Sequence, residues 1–160
     1  MVQDRNDTRA EVAGLSQQLS DFYNGDSWVT DNLHNRIFPL HSSTAFRKLH
    51  QHHHCIAEQM LHMNSWRNFA LQKLTGNNSF AINDSSEDWP KENNWEKIKN
   101  DFTQTHHQLL KAIACFDITR WDIPVPGRTY TFLFLIKGIV HHDYYHYGQM
   151  TSLLSVLKET

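Results

Sequence analysis

The chain has 160 residues, 39% of them hydrophobic, which predicts one domain over residues 1–160 with a single core. Its 15 Lys and Arg nearly balance 17 Asp and Glu, and the formal net charge is -2. Because the sequence has no basic patch and no long run of like charge, it excludes a nucleic-acid binder.

The hydrophobic pattern predicts four helices and no strand, beginning with a helix from Thr8 to about Phe22. Its apolar residues recur at spacings of three and four, and Asp7 precedes it as an N-cap. The following residues, 23–41, contain several turn-forming side chains. They predict an ordered connection with a short helical turn around Leu33.

The second predicted helix is long, beginning at Ser42 or Ser43 and ending at Gly76. One inward stripe runs along it and includes a histidine among apolar residues: Phe46, Leu49, His53, Ile56, Met60 and Met63. The polar residues 77–94 that follow are too many for a tight turn and numerous enough to cross the end of a bundle. We therefore expect a long crossover between the second and third helices.

The third helix is predicted from Trp95 to about Cys115, and residues 123–127, with two prolines and a glycine, separate it from the last helix. Helix four, from about Thr131 to Leu157, has the most regular apolar stripe of the chain. Four amphipathic helices joined in this way predict an all-α protein, a four-helix bundle.

The chain contains 12 histidines, and two of them interrupt the apolar stripe of the fourth helix. His142 and His146 are four residues apart, so both imidazoles lie on one helix face and can converge on one metal ion. The same spacing fits a buried polar network without a metal. The pair alone does not separate these two alternatives.

His62 is a third candidate ligand, on the second predicted helix. Its neighbours Met60, Met63 and Trp66 offer few hydrogen bonds, so a buried imidazole there needs a polar network or a cation. Three neutral imidazoles without a fourth protein ligand form an open metal site, which is typical of catalytic metals. Glu58, one turn earlier, is a candidate to orient His62 or to accept a proton, with a simple surface charge as the equal alternative.

A pattern of motifs extends over nearly the whole chain: Trp28, residues 53–67, Leu74-Thr-Gly, Asp88-Trp-Pro and residues 138–149. This pattern resembles the DinB-like proteins, also called the DinB/YfiT superfamily. Its most specific part is the closing His-x-x-x-His-x-Gly-Gln, which begins at His142.

The resemblance implies a four-helix bundle with a divalent metal, usually nickel or zinc, held by three histidines. Transferred by motif, these are His62, His142 and His146. Some members of the family are thiol-dependent transferases or isomerases that use bacillithiol, mycothiol or glutathione, while many have no assigned activity. Membership therefore leaves the reaction open.

Two functional hypotheses follow. The first is a divalent-metal-dependent enzyme, a thiol-dependent transferase or related hydrolase, in which the metal lowers the pKa of a bound water or thiol. The second is a metal-binding stress or interaction protein without turnover, whose ion ties two helices together. An all-imidazole shell does not separate nickel and zinc from iron or manganese.

The expected partner is a small-molecule substrate, with a low-molecular-weight thiol as the candidate under the first hypothesis, in a pocket for which Trp28 is a candidate wall. The longest apolar run, residues 132–140, is interrupted by Lys137 and too short for a membrane span, so no membrane partner is expected. Two cysteines form no disulfide framework, which favours a cytoplasmic location. The family resemblance and the 12% aromatic content predict a homodimer.

Overall fold

The computed structural model describes residues 5–26, 28 and 31–159, and it is 67% helical with no strand among those residues. The described residues form seven α-helices and one 3-10 turn: α1 (Arg5–Tyr23), α2 (Leu33–Arg36), α3 (Ser42–Ala45), α4 (Ile56–Leu74), α5 (Ser85–Asp88), α6 (Trp95–Cys115), the turn Ile118–Arg120 and α7 (Phe132–Glu159). Four of the helices, α1, α4, α6 and α7, are long, which confirms the all-α class.

The second long helix begins at Ile56, so the prediction that it begins at Ser42 or Ser43 is wrong. The chain between α3 and α4 is not helical. Leu49 and His53, two residues assigned to the inward stripe, are exposed. The segment is rich in histidine and other polar side chains, and their burial as a helix face would cost more than their exposure in turns.

Local hydrogen bonds define both ends of α4. At its start, the backbone N–H of Cys55 donates to the Glu58 carboxylate at 3.0 Å, the second half of a capping box. At its end, the Thr75 N–H donates to the carbonyl of Leu71, and Gly76 follows with a φ of 92°. A positive φ suits glycine, which explains why the helix stops there.

Two clusters of buried side chains form the core and give the directions of the long helices. The first joins the C-terminal ends of α1 and α7 to the N-terminal halves of α4 and α6: Phe22, Met60, Phe102, Met150 and Leu154, among others. The second joins the C-terminal ends of α4 and α6 to the N-terminal half of α7: Phe69, Leu109, Ile113 and Ile136, among others. Helices α4 and α6 are therefore parallel to each other and antiparallel to α1 and α7.

Parallel neighbours require a connection that returns along the bundle. Helix α4 packs against α6 and α7, and α1 packs against the same two helices, so α4 and α1 are diagonal partners. Residues 75–94 therefore span the length of α4, about 28 Å at 1.5 Å per residue, before α6 begins. This confirms the predicted crossover, which places α5 and Trp89 beside α4.

No helix among the described residues combines the length and the apolar character that crossing a bilayer requires.

Candidate metal centre

Three histidines meet between α4 and α7. His142 Nε2 lies 3.0 Å from His62 Nε2 and 3.1 Å from His146 Nε2. One ring nitrogen from each of the three histidines can be chosen so that all three nitrogens lie within 4.8 Å of one another. His62 and His146 are buried, and His142 is half-buried. The structure thus brings together the three residues predicted as metal ligands.

Helix geometry explains this convergence. His142 and His146 are one turn apart on α7, so both rings leave the helix on the same side. His62 faces them from the antiparallel α4. One turn after His62, the Trp66 ring packs edge-on against His142 with its centroid 6.3 Å away, which gives the cluster an apolar wall.

The hydrogens of the three imidazoles cannot satisfy both close contacts. His62 Nδ1 lies 2.9 Å from the carbonyl oxygen of Asp88 and 3.0 Å from its carboxylate, so Nδ1 holds the proton and Nε2 the lone pair. A hydrogen on His142 Nε2 can point at only one of its two neighbours, and without it two lone pairs face each other. A divalent cation that accepts all three lone pairs removes this conflict, so the residues fit a metal ion.

The crossover supplies the outer support of His62. Besides accepting from His62, the Asp88 carboxylate accepts from the Trp66 indole N–H at 2.8 Å. The next residue, Trp89, stacks almost parallel on His62, with ring centroids 4.0 Å apart, and on His54 with centroids 3.6 Å apart. A carboxylate or carbonyl on the far nitrogen of a ligating histidine fixes its tautomer and its orientation, and Asp88 provides both.

Burial favours the neutral form of both histidines of α7. Burial first, and then charge on His146, His62 and Arg67, lowers the pKa of His142 to about 3. Burial also lowers the pKa of His146, and charge on His62 acts in the same direction. Because neutral imidazole is the form that binds a metal, these nitrogens are ready to act as ligands at neutral pH.

A second polar cluster lies beside the histidines on the same helices. Arg67 of α4 donates from Nε and Nη2 to one carboxylate oxygen of Asp143 on α7, at 2.9 and 2.6 Å. Both side chains are fully buried. The guanidinium carbon lies 4.4 Å from the centroid of the Phe102 ring, so the cation is also held over an aromatic face.

His106 of α6 completes this second cluster. The third nitrogen of the guanidinium, Nη1 of Arg67, donates to His106 Nδ1 at 3.1 Å, and the imidazole stacks on Tyr23 of α1 with centroids 4.1 Å apart. Burial lowers the pKa of His106 to about 3, and charge on Arg67 and His107 adds to that effect. The cluster therefore joins all four long helices through neutral or paired groups.

A cleft of about 740 Å³ opens beside the three histidines. Its wall is formed by His146 and Trp89, by the C-terminal half of α7, and by Leu49, His53, His54 and Gln59. His62 and His142 are not part of this wall. His146 is therefore the member of the cluster that faces the cleft.

A family model described as the DinB superfamily matches residues 2–150, nearly the whole chain. The chain belongs to the DinB superfamily. Comparisons with curated proteins and with solved structures give no match. Membership in the DinB superfamily agrees with the bundle and with the resemblance found in the motifs.

Glu58 lies at the start of α4 in this DinB protein. Its carboxylate accepts from the Cys55 N–H and lies 2.7 Å from Lys48 Nζ. Burial acts to raise its pKa, but the hydrogen bonds from Lys48 and Cys55 outweigh it and lower the pKa. The group that holds His62 is Asp88 rather than Glu58. A role for Glu58 as proton acceptor stays a prediction.

Other features of this DinB protein differ from the sequence analysis or were missed by it. Trp28, the candidate wall, is 99% exposed and does not line the cleft, whereas Trp89 does. The ion pair of Arg67 and Asp143 was missed. Both residues fall on the inward stripes of facing helices, and opposite charges at such positions were a signal for a buried pair.

Proposed function

We propose that this chain binds one divalent metal ion through His62, His142 and His146 and uses it in catalysis, as a thiol-dependent transferase or a related hydrolase. The observation that carries the proposal is the convergence of three Nε2 atoms whose hydrogens cannot satisfy one another. Neutral imidazoles in this arrangement are typical metal ligands.

The cleft favours an enzyme over a metal-binding protein without turnover. Among the described residues, the candidate ligand group consists of three histidines and includes no fourth side chain. Three protein ligands leave a coordination position for a water or a substrate, and a cleft borders His146. A structural site is instead closed by a fourth side chain.

The protein's own groups have defined tasks in this proposal. Asp88 keeps the proton of His62 on Nδ1 and so directs the Nε2 lone pair at the centre of the cluster. Trp89 covers the face of His62 and limits access of water from that side. When bound, a divalent ion supplies a nucleophile at neutral pH by lowering the pKa of a coordinated water or thiol. We propose Glu58, one turn before His62 on α4, as a proton acceptor.

The ligand set and the family favour nickel or zinc, while iron and manganese remain compatible with imidazole ligands. Metal analysis of the purified protein decides among them. We expect one ion per chain.

Activity is tested with the metal-loaded protein, the metal-free protein and a variant in which His62, His142 and His146 are all replaced by Gln. Thiol transfer is followed with glutathione, bacillithiol or mycothiol and chlorodinitrobenzene, and hydrolysis with nitrophenyl acetate. The proposal expects a metal-dependent rate that the triple variant lacks. A metal-loaded protein inactive in every assay would favour the rival without turnover, and a wild-type chain that binds no metal would overturn both.

We further propose a cytoplasmic homodimer. Cys55 and Cys115 are both free, which suits a reducing compartment. Phe134, on the outer face of α7, is 62% exposed and would be covered in a dimer. Light scattering at micromolar concentration checks the mass, and a clean monomer would contradict the dimer.

A further inference from the structure

The cleft beside His146 has a chemical character that the metal site alone does not explain. Twelve residues line it, and none of them is Asp, Glu, Lys or Arg. Two carboxylates lie outside this lining: Glu58 is 3.4 Å from His54 and is paired with Lys48 at 2.7 Å, and Asp88 is 3.0 Å from His62 Nδ1. The cleft is therefore uncharged when its histidines are neutral.

A second cleft, which Trp89 also lines, offers a direct contrast. It measures about 1100 Å³ and shares His54 and Trp89 with the first. Its lining includes Glu58, Lys91 and Glu92. Charged side chains thus line the second cleft and are absent from the lining of the cleft that borders His146.

Exposed apolar side chains gather at the uncharged cleft. Six large hydrophobic residues of the described chain are exposed, and three of them line this one cleft: Leu49, Tyr145 and Val156. They are 38%, 62% and 44% exposed. Apolar side chains that surround a concave surface with a few polar groups are typical of small-molecule sites.

We propose that this cleft binds an uncharged, largely apolar small molecule and holds it beside His146. The inference rests on the proposed function for its placement next to a metal. The volume of about 740 Å³ lies within the usual range for ligand sites. The carboxylates of a low-molecular-weight thiol such as glutathione would lose hydration against this lining, which has no Lys or Arg, so the cleft suits the uncharged electrophile or ester instead.

Gly148 provides a way to fill the cleft without disturbing the fold. It lines the cleft, its backbone φ is not positive, and a Cβ built on it meets no atom within 4 Å. Gly138, ten residues earlier on α7, has equally open space but does not line the cleft. Gly148→Leu and Gly138→Leu are therefore matched substitutions, and each replaces a helical glycine by a better helix former.

The probes are two dyes that share their aromatic rings and differ in charge. N-phenyl-naphthylamine is uncharged, and anilinonaphthalene sulfonate has a sulfonate. Both increase in fluorescence in apolar sites, and titrations are done at about pH 8, where unperturbed imidazoles are neutral. Each is titrated into zinc-loaded and metal-free protein, and circular dichroism confirms that both variants are folded.

We expect N-phenyl-naphthylamine to bind wild type and Gly138→Leu alike, and Gly148→Leu at least about tenfold more weakly. The sulfonate should bind wild type at least about tenfold more weakly than the uncharged dye. Equal loss in both variants, no loss in Gly148→Leu, or equal affinity for the sulfonate would overturn the proposal. Metal content is measured on the same samples. A chain that binds the dye but no metal would refute the proposed function and still support the proposal that the cleft binds an apolar molecule.

Discussion

Two buried polar clusters lie side by side on the same pair of helices, and they differ in whether the groups that meet are unlike or alike. In the cluster of Arg67, Asp143 and His106, the guanidinium donates to one carboxylate oxygen and to the imidazole, and one positive charge meets one negative charge, although the second oxygen of Asp143 has no hydrogen-bond partner. In the cluster of His62, His142 and His146, three similar nitrogens face each other. His142 and Asp143 are even adjacent in sequence.

This difference separates a structural cluster from a binding cluster. A buried pair of opposite charges joined by hydrogen bonds can link helices without any additional group. A set of converging lone pairs is stable only when something accepts them. The first cluster should therefore determine the stability of the bundle, and the second its affinity for metal.

The largest effect is expected from Arg67→Met. It leaves the Asp143 carboxylate buried without its partner, and loss of one member of a buried ion pair costs about 3–5 kcal/mol of unfolding free energy. Urea unfolding of the metal-free protein measures it. The double variant Arg67→Met with Asp143→Leu should recover much of the lost stability. A cost below about 1 kcal/mol for Arg67→Met alone would contradict a structural role for this cluster.

His142→Ala should weaken metal binding strongly and leave the stability of the metal-free protein nearly unchanged. Removal of the central imidazole leaves two ligands, so zinc or nickel affinity should fall at least about 100-fold. The unfolding free energy of the metal-free protein should change by less than about 1 kcal/mol. His141→Ala, at the exposed neighbour, is the control and should bind metal normally. A large loss of metal-free stability would mean that the histidines act as a structural network.

Asp88→Ala should have an intermediate effect. The backbone carbonyl of residue 88 still accepts from His62 Nδ1, but the carboxylate that also holds Trp66 is lost. Metal affinity should fall by roughly 10-fold, measured by competition with a chelator. Glu87→Ala on the same short helix contacts neither His62 nor Trp66 and should leave affinity unchanged. Equal effects of the two substitutions would argue against support of His62 by the crossover.

The last prediction concerns pH. The pKa of His106 is lowered to about 3 by burial first and by the charge on Arg67 second. When the pH falls below about 6.5, the unfolded chain therefore binds a proton at this residue, whereas the folded chain does not. The contribution of His106 to stability is complete above pH 6.5. It falls by up to about 1.4 kcal/mol per pH unit as the pH decreases toward 3.

His106→Gln should remove that part of the slope in metal-free protein. Urea unfolding of wild type and variant between pH 7 and 4 gives the comparison. The lowered pKa of His142 acts in the same direction and remains in the variant, so a residual slope is expected. Identical slopes in the two proteins would show that His106 is protonated in the folded chain.

The comparison also shows what the sequence could predict. The four long helices follow from apolar spacing, and α6 begins and ends where the pattern places it. The three histidines were found because polar residues at inward positions of an apolar stripe are conspicuous. Arg67 and Asp143 occupy equally inward positions, so the same argument, applied to charges, would have found the second cluster.

Other features depend on the path of the chain and left no local signal. Leu49 and His53 have helical spacing, but a capping box at Cys55 starts the helix after them. The contacts of Asp88 and Trp89 with His62 arise because the crossover passes beside α4. No residue periodicity within the crossover predicts which side chain it meets.

The central claim is that the three histidines together bind one divalent ion, and a calorimetric titration of zinc or nickel into chelator-treated protein tests it most directly. Wild type should bind one ion per chain, and its unfolding midpoint should rise with metal concentration, because the ion binds only the folded state. The variant in which His62, His142 and His146 are replaced by Gln should bind none and show no such rise. Equal stoichiometry and equal stabilisation in the two proteins would contradict the account, as would a wild-type chain that binds no ion.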